Sequence, residues 1–291
     1  MTFSLKLTKL KAKLYFPQYH LPPWLGNKFR GGFGSVLLKA VCGYLKPSCN
    51  ICKSTDDCLY YALYVKDKQK RGRSQPVRPI IFIPPFFGKA MSGRGEITLD
   101  INVFGDYFRY LPHIIYGLRY LGKLGLNATS KYELTSIKDV ISGKEIYDGE
   151  SVNAEGIKTV DLGEIAPLNL DDVVEIQYST PIEAYIPIKL EFLVHLIRRR
   201  LILYVNEYGS GEVFDFECEA EILESEWRKH ELVHVSKRQG KRSFYGVTGS
   251  ARYRISNADE NTLKLLAIGE MIGAGAKASF GMGFFRLNSV V

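Results

Sequence analysis

Ser4 to Phe16 (SLKLTKLKAKLYF) alternates polar and apolar residues, the pattern of a half-buried strand, and the run meets Pro17. The period then changes. In Asn27 to Leu45 (NKFRGGFGSVLLKAVCGYL) a glycine-rich entry precedes Val36, Leu37, Ala40 and Val41, which fall on one helical face. Glu96 to Phe104 (EITLDINVF) alternates again, Asp106 opens a helix reaching Leu121, and Tyr132 to Val140 reads as a returning strand. This approximates β-α-β-β-α-β. Ser142 to Leu170 is rich in Gly and Asp with weak periodicity, which predicts a hairpin or irregular insert.

A second cycle follows. Val173 to Ser179 reads as a strand, and Pro187 to Tyr208 as a helix whose Leu190, Leu193, Val194, Ile197, Leu201 and Tyr204 line one face. Arg198, Arg199 and Arg200 cannot all point inward, so at least two should be exposed. Glu212 to Leu223 and Ser243 to Ile255 read as strands, Asp259 caps a helix (DENTLKLLAIGEM), and Phe284 to Val290 closes the sheet. The predicted class is α+β, with two tandem ferredoxin-like domains and antiparallel sheets divided near residue 175. Residues 1–175 would carry a Cys-rich insert and residues 176–291 a glycine-rich loop.

A chain of 291 residues suits two compact domains, and 46% apolar with 24% charged residues excludes global disorder. Charge adds a partner class. The net charge of +8 is concentrated at Lys66 to Arg78, Arg198 to Arg200 and Lys237 to Arg242, each beside Tyr or Phe, which points to nucleic acid. The most apolar stretches (Pro79 to Phe87 and Leu201 to Val205) are too short to cross a bilayer. The expected setting is cytoplasmic, because Lys alternates with Leu at the N-terminus where a secretory signal would place an apolar block.

Three motifs carry candidate chemistry. Gly273 to Gly283 (GAGAKASFGMG) matches neither a Walker loop nor a dinucleotide fingerprint, and reads either as a tight helix-to-strand turn or as a loop whose amides, with Lys277 and Ser279, meet an anion. His230 to His234 (HELVH) fits the H-E-x-x-H zinc protease pattern, which requires a helix and a third ligand; only Glu260 offers itself. Cys42, Cys49, Cys52 and Cys58 share one window, where structural zinc competes with disulfides and free thiols. Cys218 stands apart.

Lys28, Arg30, Ser236, Lys237, Arg238, Lys241, Arg242 and Tyr245 make a further set. Metal-free RNA cleavage uses the 2′-hydroxyl as nucleophile, so the protein must supply charge stabilisation and proton transfer, which Lys, Arg and Tyr side chains provide.

Gly273, Gly275, Gly281 and Gly283, in the pattern G-x-G-x5-G-x-G, with the wider segment Val235 to Phe285, resemble the CRISPR repeat-processing endoribonucleases of the RAMP superfamily. Phe29 to Cys42 and the clustered cysteines are similar to the same branch. The resemblance implies paired RAMP or RRM-like domains, and metal-independent cleavage within CRISPR repeats leaving 5′-hydroxyl and 2′,3′-cyclic phosphate ends. It also implies a glycine loop that helps hold RNA and no cofactor for the cut. Many members carry a catalytic His near the first helix; here the histidines are His20, His113, His195, His230 and His234. Lys28 and Arg238 are therefore the expected catalytic pair across an inter-domain cleft, with Tyr245 and Ser236 positioning the 2′-hydroxyl and Arg30 binding phosphate. Lys237, Lys241, Arg242, Lys277, Ser279 and the four loop glycines would bind RNA. The alternative within this resemblance is a noncatalytic subunit of a CRISPR complex. Partners expected are repeat RNA, interference-complex subunits and a second copy of the chain.

Overall fold

The computed structural model describes residues 3–42, 48–52, 55–66, 77–236 and 240–289. Contacts divide the chain into two compact units, Lys6–Val160 and Asp161–Val291 with Met1–Leu5. The division falls at 160 and not at the expected 175. Residues after 160 are tied to the second unit: Lys264 Nζ donates to the Gly163 carbonyl at 2.6 Å, and the Leu5 amide donates to Asp161 at 3.0 Å. Phe3–Ser4 pairs with Ser210–Gly211, which brings the first residues along.

The N-terminal unit contains β1 (Lys6–Leu21), α1 (Gly26–Val41), β2 (Ile80–Ile83), β3 (Met91–Phe104), α2 (Leu111–Leu124), β4 (Glu133–Asp139) and β5 (Glu145–Tyr147). The strands form an antiparallel sheet in the order β2-β3-β1-β4-β5. Strand β1 does not stop at Pro17. A register shift between Phe16 and Tyr19 carries it past the proline, which has no N–H to give, and pairing resumes at Tyr19 opposite Gly93. Strand β2 was invisible as a strand because Ile80, Ile81 and Phe82 are all buried, so the run is continuously apolar and shows no alternation. The core gathers Leu14 and Phe16 of β1, Phe29 and Phe33 of α1, Ile101 of β3 and Ile114 and Leu118 of α2. Each buried ring stabilises by roughly 2 kcal/mol.

The C-terminal unit repeats the plan with β6 (Val173–Ile182), α3 (Leu190–Tyr208), β7 (Cys218–Ser236), β8 (Gly240–Ala258), α4 (Glu260–Ile272) and β9 (Phe285–Ser289). Its antiparallel order is β7-β8-β6-β9, so each unit places its first and third strands at the centre, the ferredoxin-like arrangement. Helix α3 buries the face that its periodicity marked. The arginine row departs from expectation: only Arg199 is exposed, Arg198 is half-buried and reaches Asp215 at 2.7 Å, and Arg200 is buried. Helix α4 starts at Asp259, whose carboxylate accepts from the Thr262 amide at 2.7 Å. Among the described residues no helix is long and apolar enough to cross a membrane.

Strands β7 and β8 pair from Cys218 opposite Ala258 to Ser236 opposite Gly240. The third strand, β6, meets β8 no further than Val247 opposite Ile182. The hairpin therefore extends beyond its sheet. This corrects the expected end at Leu223 and removes the zinc protease reading, because His230 and His234 lie on a strand. At about 3.3 Å per residue they stand about 13 Å apart along it, too far to share one metal.

Candidate nucleic-acid interface

The glycine loop leaves α4 at Gly273 and enters β9 after Gly283, and its shape is set from below by Arg200 of α3. This guanidinium is 2% exposed. Its Nη1 donates to the Ile272 carbonyl at 2.5 Å, Nη2 to Ala274 at 2.6 Å and Met282 at 3.3 Å, and Nε to Gly275 at 2.7 Å. Burial pushes its pKa down to about 10, so it stays charged at neutral pH and satisfies carbonyls from both ends of the loop.

Gly273, Gly275, Gly281 and Gly283 all adopt positive φ, between 74° and 84°. The contacts differ. A Cβ on Gly273 would stand 2.4 Å from Arg200 Nη1 and one on Gly283 2.0 Å from the Ala274 carbonyl oxygen, whereas one on Gly275 meets nothing closer than 4.0 Å. The four glycine amides are spent within the unit, donating to the carbonyls of Gly269, Leu196, Ala278 and Pro181 respectively. They are thus not the amide cradle for an anion that the sequence suggested. The turn reading describes the glycines, and Lys277 is the loop's cation.

Lys277 is half-buried, with Nζ 5.2 Å from the centroid of Phe244 on β8. Phe280 of the loop packs edge-on against Phe244 at 5.0 Å and against His234 of β7 at 5.2 Å. Ser279 lies half-buried between Lys277 and Phe280. Burial raises the Glu183 carboxyl while the Lys277 charge lowers it, which places a carboxylate within electrostatic reach of Lys277. The sequence reading missed Phe244 and Phe280 and singled out His234 only within the HELVH pattern. Their signal was present as rings flanking the cations.

On the hairpin, Lys241 faces Val235, Arg242 faces His234, and Tyr245 faces Glu231 across the strands. Lys241 and Arg242 are exposed and Tyr245 is 64% exposed. Tyr245 donates to Glu231 Oε1 at 3.3 Å, and Ser243 to the same oxygen at 2.8 Å. Ser236 ends β7 opposite Gly240, while Lys237 and Arg238 lie outside the described residues. The structure thus gathers Lys277, Phe244, Phe280 and His234, with Arg242 directly across from His234.

In the N-terminal unit, Lys28 is exposed in the first turn of α1. Arg30 is half-buried over Tyr64, 5.3 Å from the ring centroid, and Tyr64 donates to the Arg30 carbonyl at 2.6 Å. Burial lowers the Arg30 pKa and raises that of Tyr64, which marks an interior pair. Cys42, Cys49, Cys52 and Cys58 are half-buried, and among the described residues no three His, Cys, Asp or Glu side chains gather to hold a metal.

Solved structures share this architecture. Thermus thermophilus Cas6 has a TM-score of 0.55 at 14% identity, covering 98% of this chain and 99% of that one. Its product complex has the same TM-score at 15% identity over 97% and 99%. A RAMP protein binding different RNA substrates has a TM-score of 0.51 at 13% identity over 97% and 100%. At these identities the likeness fixes the fold, the double ferredoxin-like plan. In sequence, an uncharacterized protein of Archaeoglobus fulgidus is 73% identical over 99% of this chain and 100% of its own length. Residues 5–159 match the AF_1859 N-terminal domain and residues 174–287 the AF_1859 C-terminal domain, so the chain belongs to the AF_1859 family.

Proposed function

We propose that the protein binds CRISPR repeat RNA and cuts it within the repeat without a metal. The observation that carries this reading is the C-terminal cluster: a hairpin extending past its sheet, with exposed Lys241, Arg242 and Tyr245, packed through Phe244 against a loop that carries Lys277 and is fixed by Arg200. Cations meet phosphates and rings stack on bases, the two contacts an RNA strand offers irrespective of sequence. The shared fold with Cas6, for which a product complex exists, and with a RAMP protein that binds RNA supports the same reading.

In the reaction, the 2′-oxygen attacks the adjacent phosphorus and the bond to the 5′-oxygen breaks. The 2′-proton is removed and a proton is delivered to the leaving oxygen, giving a 2′,3′-cyclic phosphate and a 5′-hydroxyl. Lys28 and Arg238 stabilise the phosphorane charge, and Tyr245 and Ser236 position the 2′-hydroxyl. Lys237 adds a phosphate contact.

A second reading, a noncatalytic RNA-binding subunit, is favoured by one feature: α1 contains no histidine. End-labelled repeat RNA incubated with the protein in excess chelator separates the two. Cleavage to a cyclic phosphate end supports the nuclease, retention of intact RNA supports the subunit, and no binding overturns both.

A further inference from the structure

Helix α2 and the short 3-10 turn Gly105–Tyr110 before it carry aromatic rings at intervals of three or four residues: Tyr107 and Tyr110, half-buried against the core, then exposed His113, Tyr116 and Tyr120. Tyr107 and Tyr110 stand 5.6 Å apart, Tyr110 and His113 5.6 Å, and Tyr116 and Tyr120 stack at 6.0 Å with their planes 17° apart. Tyr116 is 50% exposed and Tyr120 39%, so neither ring serves the core beneath.

The charge on the helix itself is positive, and the nearest carboxylates, Asp148, Glu133 and Glu150, act on Tyr147, over which Arg119 sits at 5.8 Å. Helix α2 (LPHIIYGLRYLGKL) contains no carboxylate, while Arg119 and Lys123 are exposed on it and Arg109 sits 5.1 Å over Tyr110 just before it. Asp106 is neutralised by Lys6 at 3.3 Å, leaving Asp57 as the acid that acts on Arg109. At the start of the helix a recess of about 340 Å³ opens between Phe108, Arg109, Leu111 and Pro112 on one side and Val152 and Ile157 on the other. Its lining is mostly apolar, with Arg109 and Thr159 as its polar members.

We infer that this face is a second RNA-binding surface, for single-stranded RNA. Bases stack on Tyr116 and Tyr120, phosphates meet Arg109, Arg119 and Lys123, and one base enters the recess. Exposed rings alternating with cations, without acids on the same helix, complement a polyanion with flat faces and would meet an acidic or mixed protein surface less well. The inference rests on the reading of the protein as RNA-binding and adds a site on a different unit, for the unpaired part of the substrate.

The test compares binding of a short fluorescent oligouridylate and of repeat RNA by the full chain, by Y116A/Y120A, by Y116F/Y120F and by R242A. The alanine pair should lose about 100-fold in affinity for the oligouridylate, because it removes two base-ring stacks that each carry about 10-fold, while the phenylalanine pair, which keeps the rings, binds as the parent. Thermal melting of the alanine pair should fall only slightly, since neither ring belongs to the buried core. Unchanged oligouridylate affinity in the alanine pair would overturn the inference while leaving intact the C-terminal reading, which R242A with repeat RNA tests separately. A shift of the alanine pair to a smaller sedimenting species with unaltered RNA binding would also overturn it, assigning the face to a protein contact.

Discussion

Arg200 and Gly275, 75 residues apart in sequence, are joined by a 2.7 Å hydrogen bond from the guanidinium Nε to the glycine carbonyl, within a clamp that also holds Ile272, Ala274 and Met282. A loop so fixed cannot be read from its glycines alone. Arg200→Met should cost about 3 kcal/mol or more, because it strands several buried carbonyls. Arg200→Lys should recover only part, since an ammonium cannot fork to both loop ends. Chemical denaturation measures both; a loss below 1 kcal/mol for the methionine variant would mean the clamp is dispensable.

The glycines should separate by position. Gly283→Ala drives a Cβ into the Ala274 carbonyl and Gly273→Ala drives one into Arg200, so both should abolish folding or lower stability by more than about 3 kcal/mol. Gly275→Ala meets open space and carries only the penalty of positive φ, about 1 kcal/mol. Equal melting temperatures for the three variants would contradict this ordering.

Much of this arrangement was legible in the sequence. The face of α3 through Leu190, Leu193, Val194, Ile197, Leu201 and Tyr204 followed from its period, and the second β-α-β-β-α-β cycle, with all of the first but β2, from alternation. What failed did so for local reasons. Ile80 to Ile83 lacks alternation because it is covered on both sides, and the HELVH pentapeptide imitates a helical metal motif while its register belongs to β7. Arg200 was hidden because a buried arginine looks like its exposed neighbour Arg199 until the carbonyls it serves, more than seventy residues later, are in place.

His230 gives a pH signature. Its Nε2 lies 2.7 Å from Thr248 Oγ1, and burial, with the charge of Arg228, lowers its pKa below the usual 6.5. The unfolded chain therefore takes up this proton first as pH falls, so His230 stabilises the fold above about pH 6.5 and the contribution is lost on acidification. The melting temperature should fall more steeply between pH 7.5 and 5.5 in the parent than in His230→Asn. Parallel curves would sink the assignment.

RNA affinity should fall with salt, since contacts from Lys241, Arg242 and Lys277 release phosphate counterions. Removing one phosphate contact from a single strand reduces the log-log salt slope by about 0.7, so Arg242→Ala should show that change together with weaker binding at every salt concentration. A variant with the parental slope would place Arg242 off the RNA path.

The cut itself should depend on Lys28 and Arg238. Lys28 is exposed in the first turn of α1, a helix with no acidic residue in that turn, so no neighbouring carboxylate of that turn competes with phosphate for its ammonium. An ammonium and a guanidinium beside the scissile phosphate both offset the negative charge that builds during in-line attack, and the ammonium can also give up a proton to the leaving 5′-oxygen. Lys28→Ala and Arg238→Ala should each slow single-turnover cleavage by about 10-fold or more while repeat-RNA affinity changes little, the pattern of groups that act in the transition state and not in binding. Lys28→Arg should restore charge but not proton transfer, so its rate should recover partly and lose the alkaline limb of the pH profile. Parental rates for both alanine variants would remove the pair from the mechanism, and His20, whose Nδ1 lies 2.8 Å from Ser92 Oγ, would be the next residue to substitute.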